Sequence, residues 1–479
     1  MKPLSVMLSM LAIGITSSTA MAAGAVLPIP SLPYVSPANS DLANRGAYIA
    51  RAADCVACHG EDYTGGSPIE TPMGAIYSTN ITPSKRYGIG NYTEADLKKV
   101  LKEGRTPDHM LYPAMPYPSY NGMTDEDISA LFAHLQTVPA VDMAPEHKTD
   151  LPFPFNFRIL MLGWNAINIP STENRDGLTQ TQQRGEYLVN NLEHCGTCHT
   201  PRNSTMGFDN DMYLSGAPLG NWHAPNITPD KSSGIGSWSE QDIVTYLRTG
   251  ELDQRAYAGG PMGEAVAHST RYLKDEDLGA IASYLKAVPA IETEDKVTAV
   301  DASRLPSPVS ESITHDLIAQ KDYLAQAKAS VGGGSNSPEA LYLAACGSCH
   351  GVNGYAQPDA RYAPIVGLSS IRRDKPDALI NVIVHGIDGA TNTSPKMPGF
   401  AEDLTSEQIA GVANYVRVNF GGLQNSDVSA AEVDRVMTAK PDQPFLIKYA
   451  GFLATLGIIV ALIIIAFIIR GIIRSRRRG

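Results

Sequence analysis

The six cysteines of the chain fall in three copies of one pattern: Cys55-Val56-Ala57-Cys58-His59, Cys195-Gly196-Thr197-Cys198-His199 and Cys346-Gly347-Ser348-Cys349-His350. Cys-x-x-Cys-His is the attachment signature of a c-type heme. Two thiols on one helical turn form thioethers to the two vinyl groups of the porphyrin. The histidine that follows is then aimed at the iron as the proximal ligand. Disulfides would give no reason for a histidine after every pair. Zinc needs four ligands, so two pairs could share an ion and the third would be stranded. A thioredoxin-like motif needs a βαβ context that is not visible nearby. The expectation is three covalent hemes c, held by Cys55 and Cys58, Cys195 and Cys198, and Cys346 and Cys349, with His59, His199 and His350 on the irons.

Each iron then needs a second axial ligand, and methionine suits an electron carrier because its thioether stabilises the reduced metal. Met397, in Lys396-Met397-Pro398-Gly399, lies between the third motif and the last amphipathic helix of its unit. In the second unit Met206 and Met212 follow the cysteines too closely, leaving Met262 in Gly260-Pro261-Met262-Gly263. In the first unit Met73, Met110, Met115 and Met123 compete, and Met115 aligns with Met262 through the repeat and shares an adjacent proline. A lone methionine is more often core packing, but a methionine before the closing helix in all three units favours ligation. The histidines that could compete (His109, His134, His223, His268, His385) do not recur in all three units.

The elements that position these groups repeat. Arg45-Gly46-Ala47-Tyr48-Ile49 before the first motif returns as Arg184-Gly185-Glu186-Tyr187-Leu188 before the second, and Asn80-Ile81-Thr82-Pro83 returns as Asn226-Ile227-Thr228-Pro229. Gly88-Ile89-Gly90-Asn91-Tyr92-Thr93-Glu94 returns as Gly234-Ile235-Gly236-Ser237-Trp238-Ser239-Glu240. Amphipathic helices follow at Ala95–Lys102 and Gln241–Arg248, with Thr93 and Ser239 as N-caps. Capped closing helices run from Thr124 to Leu135 and from Lys274 to Leu285, each ending in Val-Pro-Ala. A third, shorter unit keeps a helix into Cys346 and a closing helix from Thr405 through Val418. This predicts helices at both ends of each unit with little strand: an all-α protein of three tandem domains at 41–147, 179–296 and 338–424. The Gly-x-Gly repeats lack the third glycine and the βαβ frame of a dinucleotide site.

Leu151-Pro152-Phe153-Pro154-Phe155-Asn156-Phe157 and the apolar run to Trp164 are open to two readings, packing between units or a partner or membrane-surface contact. Ser330-Val331-Gly332-Gly333-Gly334-Ser335-Asn336-Ser337 has linker composition. Residues 1–22 read as a signal peptide: Lys2, an apolar stretch from Leu4 to Ile15, then an Ala-x-Ala site, with the apolar stretch too short to span. Tyr449 to Ile469 carries no charge and as a helix rises roughly 32 Å, enough to cross the hydrocarbon core. Arg470, Arg474, Arg476, Arg477 and Arg478 follow and place that end in the cytoplasm. A net charge of −11, with no basic stripe outside the last ten residues, argues against a nucleic-acid partner.

The three heme motifs with Met115, Met262 and Met397 now combine with Ile76-Tyr77-Ser78-Thr79-Asn80-Ile81-Thr82-Pro83, Tyr112-Pro113-Ala114-Met115-Pro116-Tyr117 and Gly234-Ile235-Gly236-Ser237-Trp238-Ser239. Over nearly the whole mature length the chain resembles the triheme cytochrome c subunits of membrane-bound dehydrogenases that oxidise sugars and alcohols in the bacterial periplasm. The resemblance implies class I cytochrome c-like domains and electron transfer from a catalytic subunit to ubiquinone, with no substrate-oxidising site in this chain. The branch with the better match serves flavoprotein (GMC-type) dehydrogenases of gluconate, 2-ketogluconate, sorbitol or fructose, with a large and a small partner subunit. The C-terminal helix with its arginines and the Leu151–Phe155 segment carry that match. The alternative is the cytochrome c subunit of a quinoprotein (PQQ-dependent) alcohol dehydrogenase. A diheme peroxidase would need an iron without a sixth ligand, and each unit here offers a methionine.

Overall fold

A computed structural model describes residues 28–37, 39–170, 175–252, 254–307, 337–356, 364–387, 396–438 and 443–476. The expected signal peptide and residues 330–336 of the glycine-rich stretch lie outside them.

The first unit runs through helices Asp41–Ala52, Cys55–His59, Glu94–Glu103, Tyr117–Tyr120 and Asp125–Leu135. The second repeats this order with Gln180–Tyr187, Gly196–His199, Glu240–Thr249, Gly260–His268 and Asp275–Ala287. The third has Pro338–Ala345, Gly347–His350, Ser369–Arg372, Asp377–His385, Ser406–Asn419 and Ala430–Thr438. Thr93 with Asp96, and Ser239 with Asp242, close capping boxes on the helices they precede, as does Thr405 with Gln408. Thr124 caps the first closing helix. Lys274, in the corresponding place, makes no side-chain cap, and its backbone N–H donates instead to the Tyr48 hydroxyl.

The chain is mostly helical, but the all-α expectation needs one correction. Four two-stranded antiparallel hairpins appear among the described residues: Pro68–Thr71 with Gly74–Tyr77, Ala217–Leu219 with Trp222–Ala224, Glu251–Leu252 with Ala256–Tyr257, and Gly386–Ile387 with Met397–Pro398. They are too short to show a period-2 pattern in the sequence. They fold because loops that leave a buried motif must return their backbone groups to a partner.

The repeated Arg-Gly-x-Tyr has a packing cause. The Asp41–Ala52 helix crosses the closing helix so closely that a Cβ on Gly46 would lie 1.9 Å from the Ala130 carbonyl oxygen, and one on Gly185 would lie 2.0 Å from that of Ala280. Only glycine allows this approach. Arg45 pairs with Asp127 at 2.6 Å, and Arg184 pairs with Asp277 at 2.8 Å. The tyrosines cross between units: Tyr187 donates to Asp127 at 2.6 Å and Tyr48 to Asp277 at 2.5 Å. Two repeats are thus joined by reciprocal bonds around an approximate two-fold axis, over one continuous apolar core that includes Ile49, Leu131, Leu188 and Ile281.

One difference between the repeats is a length change. Tyr48 stands seven residues before Cys55, whereas Tyr187 stands eight before Cys195. The extra residue is taken up by a π-helical turn at Leu188–Leu192, the ordinary way a helix absorbs a single insertion.

The third unit has a separate apolar core, with Leu341, Tyr342, Ile380, Ile409 and Phe420 among its members. It meets the second through a polar seam. Arg373 pairs with the buried Asp295 at 3.1 Å, Val297 bridges Arg373 in antiparallel fashion, and the Asn221 side chain meets His385 at 2.9 Å.

The Leu151–Ile169 connector packs on both of the first two units. Tyr112 donates to the Phe155 carbonyl at 2.7 Å, Tyr117 to Asn165 at 2.6 Å, and the Trp164 indole to the Thr205 carbonyl at 2.8 Å. The C-terminal helix spans Ala450–Arg476, and it is the one helix among the described residues long and apolar enough to cross a membrane.

Candidate cofactor-binding sites

Each Cys-x-x-Cys-His begins where a helix ends on a buried turn, which fixes the short motif helix against the core. Cys55 and Cys195 both pack against the core shared by the first two units, and Cys346 packs against the core of the third. Burial pushes the Cys55 and Cys346 thiols up to about 12, with nearby Asp54 and Cys349, respectively, adding to it.

The histidines are held for ligation. The Nδ1 of His59 lies 2.6 Å from the Thr79 carbonyl oxygen, and that of His199 lies 2.7 Å from the Pro225 carbonyl oxygen. A ring that donates from Nδ1 keeps its Nε2 lone pair for a metal, the usual arrangement of a ligating imidazole. Burial lowers the His59 pKa and brings that of His199 down to about 4, although the carbonyl contact opposes it in both. Both rings are therefore neutral at pH 7, the form that binds iron.

Thr79 and Pro225 directly precede the repeated Asn-Ile-Thr-Pro, and this is what that repeat does. Asn80 accepts from the Thr82 backbone and hydroxyl and donates to the Val141 carbonyl. Asn226 makes the same set with Thr228 and Ile291. Each asparagine thereby ties the carbonyl that orients the histidine to the chain leaving the closing helix. In the third unit the Ala356 N–H donates to the His350 carbonyl at 2.8 Å.

Of the methionines in the first unit, Met123 and Met110 are buried, and Met73 joins a small cluster with Ile76, Tyr112 and Leu151. Met115, partly buried, packs against the same core that contains Met123 and Val56 and against which Cys55 also packs. Met262 sits at the start of the Gly260–His268 helix, and Met397 pairs in register with Ile387. A single cavity of about 1140 Å³ is lined by Cys195, Cys198, His199 and Met262 together with Cys346, His350 and Met397. Small-molecule pockets run to roughly 1,000 Å³, so this space exceeds what one ligand of that size needs. Thiols, imidazoles and methionine thioethers on one apolar cavity match the donor set of heme c. The first and second motifs also adjoin: the Cys58 thiol is pushed up to about 11 by burial, and then by Asp54, Glu264 and the Cys198 thiol.

Of the competing histidines, His134 is buried in the first unit, with its Nε2 3.2 Å from the Tyr63 hydroxyl. His385 meets Asn221, and His268 lies 3.4 Å from Glu61. Sequence reasoning missed the two orienting carbonyls. The signal was present in the duplicated Asn-Ile-Thr-Pro, but a backbone oxygen has no residue identity to read.

Fold and donor groups define a c-type cytochrome. Residues 43–139 and 182–289 match the cytochrome c family, and residues 335–416 match the cytochrome c oxidase, cbb3-type, subunit III family. The chain is 41% identical to the fructose dehydrogenase cytochrome subunit of Gluconobacter japonicus over 94% of each chain. It is 37% identical to the cytochrome c subunit of the quinone alcohol dehydrogenase of Gluconacetobacter polyoxogenes, covering 87% of this chain and 88% of the relative. It is 36% identical to the gluconate 2-dehydrogenase cytochrome c subunit of Pantoea cypripedii, covering 83% and 89%. The chain belongs to the family of cytochrome subunits of membrane dehydrogenase complexes, and its work is electron transfer.

Proposed function

We propose that the chain is the triheme electron-transfer subunit of a flavoprotein sugar or sugar-acid dehydrogenase, delivering electrons to ubiquinone. The domains are 41–147, 179–296 and 338–424. The heme thioethers form at Cys55, Cys58, Cys195, Cys198, Cys346 and Cys349, and the axial pairs are His59 with Met115, His199 with Met262, and His350 with Met397. The body stands on the periplasmic side of the inner membrane, held by the C-terminal helix. The partners are a GMC-type large subunit and a small subunit. The observation that carries this reading is the cavity shared by the second and third donor sets, because electron transfer needs neighbouring sites and no substrate pocket.

A covalent heme supplies a one-electron couple at each site. The chain's own residues set that couple: the Thr79 and Pro225 carbonyls hold the imidazoles, the thioethers favour the reduced metal, and burial excludes water. Hydride removal from a CH–OH carbon delivers two electrons together, so a flavin in the partner must first accept the pair.

The purified chain alone should therefore leave gluconate, fructose and sorbitol untouched. With its flavoprotein partner, addition of substrate should reduce its absorbance bands and then a ubiquinone analogue. Turnover by the chain without a partner would contradict the proposal. A co-purifying subunit carrying pyrroloquinoline quinone would move it to the alcohol dehydrogenase branch.

A further inference from the structure

The connector between the first two units is amphipathic with its polarity reversed. A 3-10 turn at Arg158–Leu160 runs into the Met161–Asn168 helix. Met161, Trp164, Asn165 and Asn168 face the protein, and Asn165 and Asn168 spend their amides there: Asn165 donates to the Glu103 carbonyl, and Asn168 accepts from Thr205. The outward face is Ile159, Leu160, Leu162, Gly163, Ala166 and Ile167, with Ile159 63% and Ile167 73% exposed. Phe153 and Phe157, just upstream, are exposed as well. Ile159 to Pro170 contains no charged residue. A surface helix normally turns its polar face outward, and a contiguous exposed apolar face marks an interaction site.

Its position says what covers it. The root of the C-terminal helix touches this same segment: a Cβ on Gly451 would lie 3.3 Å from the Phe153 carbonyl oxygen. Phe153, Phe155, Ile447, Tyr449 and Phe452 line one small cavity between them. Gln443, two residues before the short Phe445–Lys448 helix, donates to the Pro72 carbonyl of the first unit at 2.7 Å. Phe445, Leu446 and Tyr449 are exposed beside it. The apolar face is thus continuous with the end of a helix whose sides are apolar and unburied.

We propose that Phe153–Ile167 is a second membrane contact, an in-plane foot that enters the outer leaflet beside the C-terminal helix and fixes the first cytochrome unit against the bilayer. In-plane helices of this kind sit with their apolar face roughly 5–10 Å into the headgroup–acyl boundary. A single span leaves a soluble body free to tilt and rotate. A foot tied by Tyr112, Tyr117 and Trp164 to both of the first two units removes that freedom. The proposal rests on reading Ala450–Arg476 as the span, and the test below separates the two.

The test is site-directed spin labelling of the full chain in phosphatidylethanolamine–phosphatidylglycerol vesicles, with collision by oxygen and by a water-soluble nickel chelate measured at each label. Labels at Ile167→Cys and at Leu162→Cys should be shielded from nickel and open to oxygen, as a label at Leu462→Cys in the span should be. A label at Lys98→Cys should meet nickel freely. Introducing Ile159→Glu and Leu160→Glu should restore nickel access at position 167 and leave position 462 deep. A wet label at 162 and 167 with a deep one at 462 overturns the foot alone; a wet label at 462 overturns the span. Shielding at 167 that appears only when the dehydrogenase subunit is added also overturns the proposal, because the face would then be a protein interface.

Discussion

The first two units and the third bind the same chemistry with different architectures. The first pair shares one core, and each tyrosine of the Arg-Gly-x-Tyr repeat bonds a carboxylate in the other unit. The third unit has its own core and joins the second through Arg373, Asp295 and a short backbone bridge. Its entry helix carries neither the arginine nor the close-crossing glycine at the corresponding positions, and its residues match a different cytochrome family. Like units that pack by symmetry gain a common core and fold together, whereas a unit attached by a polar seam keeps its own stability. The proposed donor sets adjoin at both junctions, but unfolding should cross only the first.

That contrast is broken most directly by Gly185→Val. The new side chain would collide with the Ala280 carbonyl, at a cost above about 4 kcal/mol, the range reserved for severe core damage. The first two units should lose their low-spin absorbance and their protease resistance together. A heme-staining fragment of the third should survive limited proteolysis, and loss of all three together would contradict the separate-core reading.

Acid should act on the pair by a defined route. His134 is buried in the first unit, and burial, with a smaller push from Arg51, brings its pKa down to about 4. The unfolded chain binds the proton from about pH 6.5 downward, so stability present at neutral pH is lost as pH falls from there toward 4. Between pH 7 and 5 His134 should account for about 2 kcal/mol of the loss, read as a lower denaturant midpoint for the first two units, and His194, also brought down to about 4 by burial, acts in the same direction. His134→Gln should remove its own share of that dependence.

The smallest effect sharpens the symmetry. Tyr48→Phe and Tyr187→Phe should each cost about 1.5 kcal/mol, the low end for a hydrogen bond to a charged group. The two losses should be alike, because the bonds are reciprocal. A thermal-melting series comparing the two single variants checks this. A loss confined to one variant would mean that the two-fold relation is only geometric.

Much of this was legible in the sequence because it is local. The heme motifs follow from fixed spacing, and the capping boxes at Thr93, Ser239 and Thr405 follow from side chains three residues apart. The unequal spacing of Tyr48 and Tyr187 from their cysteines was also on the page, though only the structure shows a π-turn absorbing it. The shared core was not readable, because helices from two repeats build it and each repeat alone has an ordinary amphipathic pattern. The connector at Leu151–Ile169 left two readings open because apolar content does not say which face turns inward. The structure shows the packing through Trp164 and Asn165 and leaves the opposite face bare.

The central claim is that three covalent hemes, each with a histidine and a methionine on the iron, make this chain a one-electron relay. A spectroelectrochemical titration of the whole detergent-solubilised chain, calibrated by a hemochrome assay on the same sample, tests it most directly. The account predicts three hemes per chain, all low-spin, titrating as one-electron couples. Met397→Leu, which nearly conserves volume and removes the sulfur, should turn one of the three high-spin and lower its potential. Two hemes per chain, or a low-spin spectrum and three potentials untouched by Met397→Leu, would contradict it.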